Sequence, residues 1–381
     1  MKVTVIPATD LSPEQVSAWS RIQESNPVLA SPFFCPEFTL AVAGATNNVF
    51  VGVIRDGDEP VGFFPFSLVR AGFGKQLGMC DYQGLIAPQS LRWNAKDLIR
   101  GCGLKAWDFD HLLAAQGPFQ RFHHLRTESP VMDLSKGFEA YKVSLSDEGR
   151  RHLRKAATST RKVERELGPL RFVYNTSDPS VMRTLLAWKA RRHAPLPGWS
   201  PDALETLRGI ASDRFSGVLS ALYAGEQLIA AHFGMRSRTV WHLWLPGFNP
   251  QFRQYGPGIL LLLKMAEHSA AVGIETIDFG KGAEEYKRIY RNASVAIAEG
   301  AVELVSFETV PRILLRASKD FIRNTPFLLK PARAATRLWR TVLRQPAVRC
   351  FCIALTLYVK LGMFWQECTQ LEFIREVTPF A

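Results

Sequence analysis

Asp278, Glu285, Tyr286 and Lys287 lie close together in the stretch IDFGKGAEEYK. Carboxylate, phenol and amine groups at that density can move a proton or hold an anion. His232 and His242 fall on adjacent expected strands with apolar neighbours, and Trp244 shares a face with His242. A histidine so placed is either a satisfied core residue or a base, and both readings stand. Between these groups runs Arg253-Gln254-Tyr255-Gly256-Pro257-Gly258-Ile259. It opens an apolar run that has the composition of a buried helix and ends at Gly273, where a glycine stop belongs. The first turn of a helix leaves N–H groups without acceptors and carries the positive end of the macrodipole, so it attracts anions. Gly256 and Gly258 would let a pyrophosphate approach the main chain, and Pro257 gives up no helical hydrogen bond there.

The elements that must position these groups read as alternating strands and helices. Residues 2–6 alternate as a strand, and Ser12-Pro13-Glu14-Gln15 is a capping box that starts a helix with Val16 and Trp19 inward. Residues 31–43 form an aromatic-rich short helix. The runs 49–54 and 61–69 flank Asp56-Gly57-Asp58-Glu59 as a hairpin, and 218–223 and 228–235 repeat that pattern around Ala224-Gly225-Glu226-Gln227. A further strand, 239–245, feeds the glycine turn. Residues 146–167 form a basic helix or helix pair, and 182–193 a helix with a basic end. The loop 195–201, which contains Trp199, is long enough to act as a lid.

Arg253-x-x-Gly256-x-Gly258 resembles the R/Q-x-x-G-x-G/A signature of GCN5-related N-acetyltransferases. The block from Asp278 to Lys287 resembles the D-F-G-x-G-x-x-x-Y-K block of the CelD-like branch, which is related to the FemAB peptidyltransferases. Leu77-Gly78-Met79-Cys80-Asp81-Tyr82-Gln83-Gly84 is similar to that branch's L-G-x-x-x-D-Y-x-G block. The resemblance implies an α/β protein of two tandem acetyltransferase-like halves, mixed sheets flanked by helices, in one composite body. The expected domains are 1–145, 146–310 with the donor site, and a basic helical tail over 311–381.

The resemblance further implies acetyl-coenzyme A or another acyl-coenzyme A as co-substrate, held by Arg253, Gln254, Tyr255, Gly256, Gly258 and Ile259. An amine attacks the thioester directly, so a base, oriented donors and an acid for the thiolate are needed. Asp278 is the first candidate base, with Glu285, His232 and His242 behind it and Tyr286 as the acid. Asp81, Tyr82, Gln83, Trp244 and Lys287 are expected to face the acceptor, an amine of a small molecule or glycan precursor. Proteins of the branch are linked to exopolysaccharide production. Where the family often has Asp before the proline of the glycine turn, this chain has Asn249, which puts a charged role there in doubt.

Composition excludes several classes. The chain has 381 residues, with 47% hydrophobic and 22% charged, values of a folded protein and not of a disordered one. The opening MKVTVIP is too short for a secretory core, so a cytoplasmic protein is expected. Its six cysteines show no zinc spacing and read as small buried hydrophobes; no metal is expected. Of the net charge of +12, eight units fall in residues 311–381, which hold twelve Lys and Arg against four Asp and Glu. There Arg333, Arg337, Arg340 and Arg344 line one helical face, and the apolar run 350–358 is too short to span a bilayer. Such a tail either lies on anionic lipid at the inner face of the membrane or packs onto the body. Nucleic acid is not an expected partner. Two alternatives remain: a Fem-type peptidyltransferase that uses aminoacyl-tRNA, and a non-catalytic scaffold at the membrane.

Overall fold

The computed structural model describes residues 2–78, 80–190 and 201–316. In chain order its elements are β1 (Lys2–Pro7), α1 (Pro13–Ser25), α2 (Pro36–Ala45), β2 (Val49–Asp56), β3 (Glu59–Arg70), β4 (Phe73–Lys75), α3 (Ala95–Gly101), β5 (Ala106–Leu113) and β6 (His123–Asp133). There follow α4 (Phe138–Ser144), α5 (Asp147–Leu167), β7 (Leu170–Val173), α6 (Pro179–Ala190), α7 (Pro201–Gly209), β8 (Ser216–Ala224), β9 (Gln227–Arg236) and β10 (Val240–Phe248). The last are α8 (Pro257–Ser269), β11 (Thr276–Asp278), α9 (Glu285–Tyr290) and β12 (Ala293–Glu303).

Local chemistry explains most boundaries. Ser12 accepts from the Gln15 N–H while the Gln15 side chain accepts from Ser12, the reciprocal cap expected for α1. The two hairpins turn at Gly57 and Gly225, both with φ near +55° (57° and 54°), where a side chain would be strained. The basic segment is one helix, α5, closed by Gly168. The aromatic segment divides into a 3-10 turn, Pro32–Phe34, and α2, because prolines at 32 and 36 each start a new turn.

The twelve strands of the described residues join one mixed sheet in the order β1-β2-β3-β4-β5-β12-β6-β11-β10-β9-β8-β7. The last strand does not follow its neighbours in sequence. It inserts between β5 and β6, antiparallel to both. One face carries a core shared by both ends of the sheet: Val51 and Phe63 of β2 and β3 belong to the same cluster as Leu219 and Phe233 of β8 and β9, with α1, α2, α6 and α7 over them. Trp19 anchors it, its ring stacked on Phe63 and its indole N–H donated to the Phe34 carbonyl at 2.7 Å. Removing a buried ring of this kind costs about 3–5 kcal/mol. On the other face, α4, α5, α8 and α9 cover β7 to β11, and α3 covers the β2 to β5 end.

The described residues up to Ser306 form one compact unit, and those from Phe307 on are grouped apart from it. The expected lid with Trp199, the basic end of the 182–193 helix, and all but the first six residues of the expected tail lie outside the described residues. Among the described residues no helix is long and apolar enough to cross a membrane. Cys35, Cys80 and Cys102 are buried free thiols, as expected for small hydrophobes; the other three lie outside the described residues.

Candidate active site

The site begins with strand register. His242 of β10 pairs with Asp278 of β11, and Asp278 in turn pairs with Val131 of β6. Side chains two residues apart share a face, so Ser129 of β6 lies on the face of Asp278. Its hydroxyl donates to Asp278 Oδ1 at 2.6 Å. Tyr82 Oη donates to Asp278 Oδ2 at 2.6 Å, and the Gly280 N–H donates to Oδ1 at 2.8 Å. Three donors therefore hold the Asp278 carboxylate, which is 2% exposed.

Outward from Asp278 comes His242. Its Nδ1 lies 3.6 Å from Asp278 Oδ1, and its Nε2 is 2.7 Å from Asp81 Oδ2. The ring itself is fully buried, but the Asp81 side chain is 27% exposed. Asp81 and Tyr82 arrive on the loop between β4 and α3. That loop is zipped to the edge of β5, where the Gln83 N–H donates to the His111 carbonyl and the Leu113 N–H donates to the Gln83 carbonyl. This places His111 Nε2 3.7 Å from Asp81 Oδ1, while His111 Nδ1 contacts Asp110. Carboxylates and imidazoles thus alternate from the buried Asp278 to the surface Asp110.

Electrostatics follow from this alternation. Burial opposes charge on His242, but its hydrogen bond to Asp81 and the charges of Asp278 and Asp81 outweigh it and raise its pKa above the ordinary 6.5. Burial likewise works against the Asp81 carboxylate, yet the hydrogen bond and charge of His242, with His111 and Lys287, bring its pKa down. Burial first, then the Asp278 charge, pushes Tyr82 far up, so it stays a donor. Gly280 closes the group from above. Its φ is +70°, and a Cβ there would meet Asp81 Oδ2 at 2.9 Å, so glycine alone fits. Lys287, nearly buried, ties this turn down by donating to the carbonyls of Gly280 and Lys281.

The second part of the site is an apolar cavity of about 330 Å³ beside the glycine turn. β11 ends at Asp278 after pairing with Val240 to His242, while β10 continues beside β9 to Phe248. Along that continuation lies space lined by Leu243, Pro246 and Phe248 of β10, Leu261 of α8, Trp188 of α6 and Tyr286 of α9. Burial raises the Tyr286 hydroxyl pKa, which keeps it protonated at the cavity wall. At the mouth, Gly256 adopts φ 63° and ψ 46° as the N-cap of α8, a left-handed turn that only glycine takes freely. No described group accepts from the Gly258 N–H, which remains an open donor. A Cβ at Gly258 would meet only the Phe248 ring at 3.6 Å, so Gly256 carries the conformational demand and Gly258 leaves room. An acyl-coenzyme A fits these features: open N–H and helix end for phosphate, apolar slot for the pantetheine arm.

The remaining expected residues divide. Arg253 and Gln254 are exposed beside Gly256, Tyr255 is buried there, and Ile259 is half-buried on the first turn of α8. Glu285 is exposed on α9, and its neighbour Glu284 lines the cavity and pairs with Lys287 at 3.2 Å. His232 is fully buried, and burial first, then the neighbouring His242, lowers its pKa to about 3, so it stays neutral. Trp244 packs among Phe33 and Phe233 in the core. Gln83 is buried against β5. His111, Asp110 and Ser129 were not expected from sequence; each sits in an ordinary strand pattern, and only the sheet order brings them to Asp81 and Asp278. Among the described residues no group of three or more His, Cys, Asp or Glu is placed to hold a metal ion.

Residues 150–288 match the family of the acetyltransferase (GNAT) domain. The chain therefore carries a GNAT acetyltransferase domain and is an acyltransferase. No curated protein sequence matches it. Among solved structures, FemX shares the fold with a TM-score of 0.54 at 8% identity, over 81% of this chain and 99% of FemX. The DUF2156 domain of a provisionally assigned lysylphosphatidylglycerol synthetase from Agrobacterium fabrum aligns at 12% identity and TM-score 0.49, over 79% of this chain and 95% of that one. A tandem GNAT protein from the clavulanic acid biosynthesis pathway aligns at 12% identity and TM-score 0.44, over 79% and 98%. The expected class, a mixed sheet flanked by helices with acetyltransferase-like character, holds.

Proposed function

We propose that this acyltransferase takes its acyl group from acyl-coenzyme A and delivers it to an amine. The apolar cavity along β10, headed by the left-handed Gly256 and the open Gly258 N–H, carries the reading. The acceptor amine approaches the exposed edge of Asp81. One proton of the ammonium passes to the Asp81–His242 pair, the nitrogen bonds to the thioester carbonyl carbon, and the C–S bond breaks with its electron pair on sulfur. Tyr286 hydrogen-bonds the leaving thiolate, which takes up the nitrogen's second proton and departs as the thiol. In this scheme Asp278 is not itself the base: three donors occupy it, and it fixes His242 from behind. Asp81 is the carboxylate an acceptor can reach, which favours a cationic amine, and the resemblance implies an amino sugar or envelope-polysaccharide precursor.

Calorimetric titration with acetyl-coenzyme A tests the donor. Micromolar binding by the native chain is expected, with loss of at least tenfold in an Arg253→Ala, Gly258→Trp variant that keeps its circular dichroism spectrum. No coenzyme A binding together with tight tRNA binding would overturn it in favour of an aminoacyl-tRNA donor.

A further inference from the structure

Between Gly149 and Val163, α5 carries Arg150, Arg151, Arg154, Lys155, Arg161 and Lys162 and no acidic residue. The catalytic scheme uses none of them. The helix is nevertheless fastened to the donor turn. Ser159 Oγ donates to the Tyr255 carbonyl at 2.5 Å, Tyr255 Oη donates to Glu166 at 2.8 Å, and Lys162 Nζ lies 5.4 Å from the centre of the Tyr255 ring. Tyr255 immediately precedes Gly256, so these contacts bring one face of α5 to the mouth of the cavity. Lys155, Ser159 and Lys162 follow at spacings of four and three residues and share that face. The two lysines stand on either side of the Ser159 contact, about 10 Å apart along the axis.

We infer that Lys155 and Lys162 form the seat for the 3′-phosphate of coenzyme A. This rests on the donor reading above. Coenzyme A carries two separate anionic groups, a pyrophosphate and a ribose monophosphate. The start of α8 and Arg253 can serve the first, but a helix end satisfies one anion and its field fades within a turn. The second phosphate needs cations beside that helix end. Lys155 and Lys162 are exposed, and neither is within salt-bridge distance of a described carboxylate. Glu166, one turn beyond Lys162 and within reach of its charge, is itself hydrogen-bonded by Tyr255 and Arg165. Lysine is a mobile point charge, suited to a terminal monoester that presents oxygens in several directions.

The test is calorimetry on the full chain with coenzyme A and with 3′-dephospho-coenzyme A, repeated on a Lys155→Gln, Lys162→Gln variant. The native chain should bind coenzyme A roughly tenfold more tightly than the dephospho form. The variant should bind both alike, with its affinity for the dephospho form unchanged. Equal affinities in the native chain, or equal weakening of both ligands in the variant, would overturn the inference and leave the donor reading intact. Failure of both ligands on the native chain would sink the donor reading and this one with it. Retention of tRNA by the same lysines, without a preference for the 3′-phosphate, would mark the strip as an RNA surface and also overturn it.

Discussion

The two ends of the sheet treat the same structural opportunity differently. At β10, the neighbour β11 ends after three paired residues, and the space along the rest of β10 is the cavity. In the first half, the gap between β5 and β6 is filled. β12 enters it, pairing with β5 from Ala106 to Leu113 and with β6 from His123 to Val131. An open pair of strands holds a ligand arm; a sealed pair offers only its side chains. The first half accordingly gives the site Asp81, Tyr82, His111 and Ser129, and the second half gives it the cavity, His242 and Asp278. One continuous sheet thus keeps a cavity on one side of β6 and supplies side chains from the other.

The sharpest way to break this division is Asp81→Asn. Removing the reachable carboxylate should slow acyl transfer by about 10²–10⁴-fold, the range of a lost acid–base group, while calorimetry shows coenzyme A affinity within twofold of native. A loss of donor affinity of the same size would place Asp81 in the donor site and erase the contrast. Next in size is Gly300→Val in β12. A Cβ at Gly300 would stand 2.0 Å from the Phe122 carbonyl and 2.7 Å from the Phe109 ring, against backbone that cannot yield cheaply. Overpacking there should cost about 1–3 kcal/mol, read as a lower midpoint in thermal unfolding, with the donor cavity still binding.

The smallest expected effect is a pH slope. His242 has a raised folded pKa, so its contribution is complete below the ordinary value of 6.5 and is lost as pH rises through the folded value. Asp81 runs the other way: its contribution is present above its ordinary 3.8 and fades as pH falls through the lowered value. Thermal midpoints should therefore decline as pH rises above the ordinary 6.5 and through the raised folded value of His242, and Asp81→Asn should flatten that decline. An identical slope in the variant would show that His242 does not owe its proton to Asp81.

Much of this was legible in the sequence where the cause is local. The Ser12 cap, the two glycine hairpins, the apolar helix and the Gly256 turn all follow from neighbours in the chain. Asp81, Tyr82, His242 and Asp278 were each visible as candidates, but with separate duties. Their union depends on contacts between residues 161 and 196 apart in sequence, His242 with Asp81 and Tyr82 with Asp278. Spacing cannot encode such contacts, because the order of strands in the sheet decides them. The same limit hid Ser129 and His111, which become neighbours of the site only when β6 meets β11 and the Asp81 loop meets β5.

The position of β12 also sets a timetable for the chain as it leaves the ribosome. β5 and β6 are made early, yet the strand that joins them spans residues 293–303 and emerges last among the strands of the described residues. Until then both keep an unpaired edge, and the amino-terminal half waits, incomplete, for the rest of the protein to be synthesised. Non-local pairing of this kind slows folding and leaves edges open to wrong partners. Truncation before β12 therefore injures the half that was translated first.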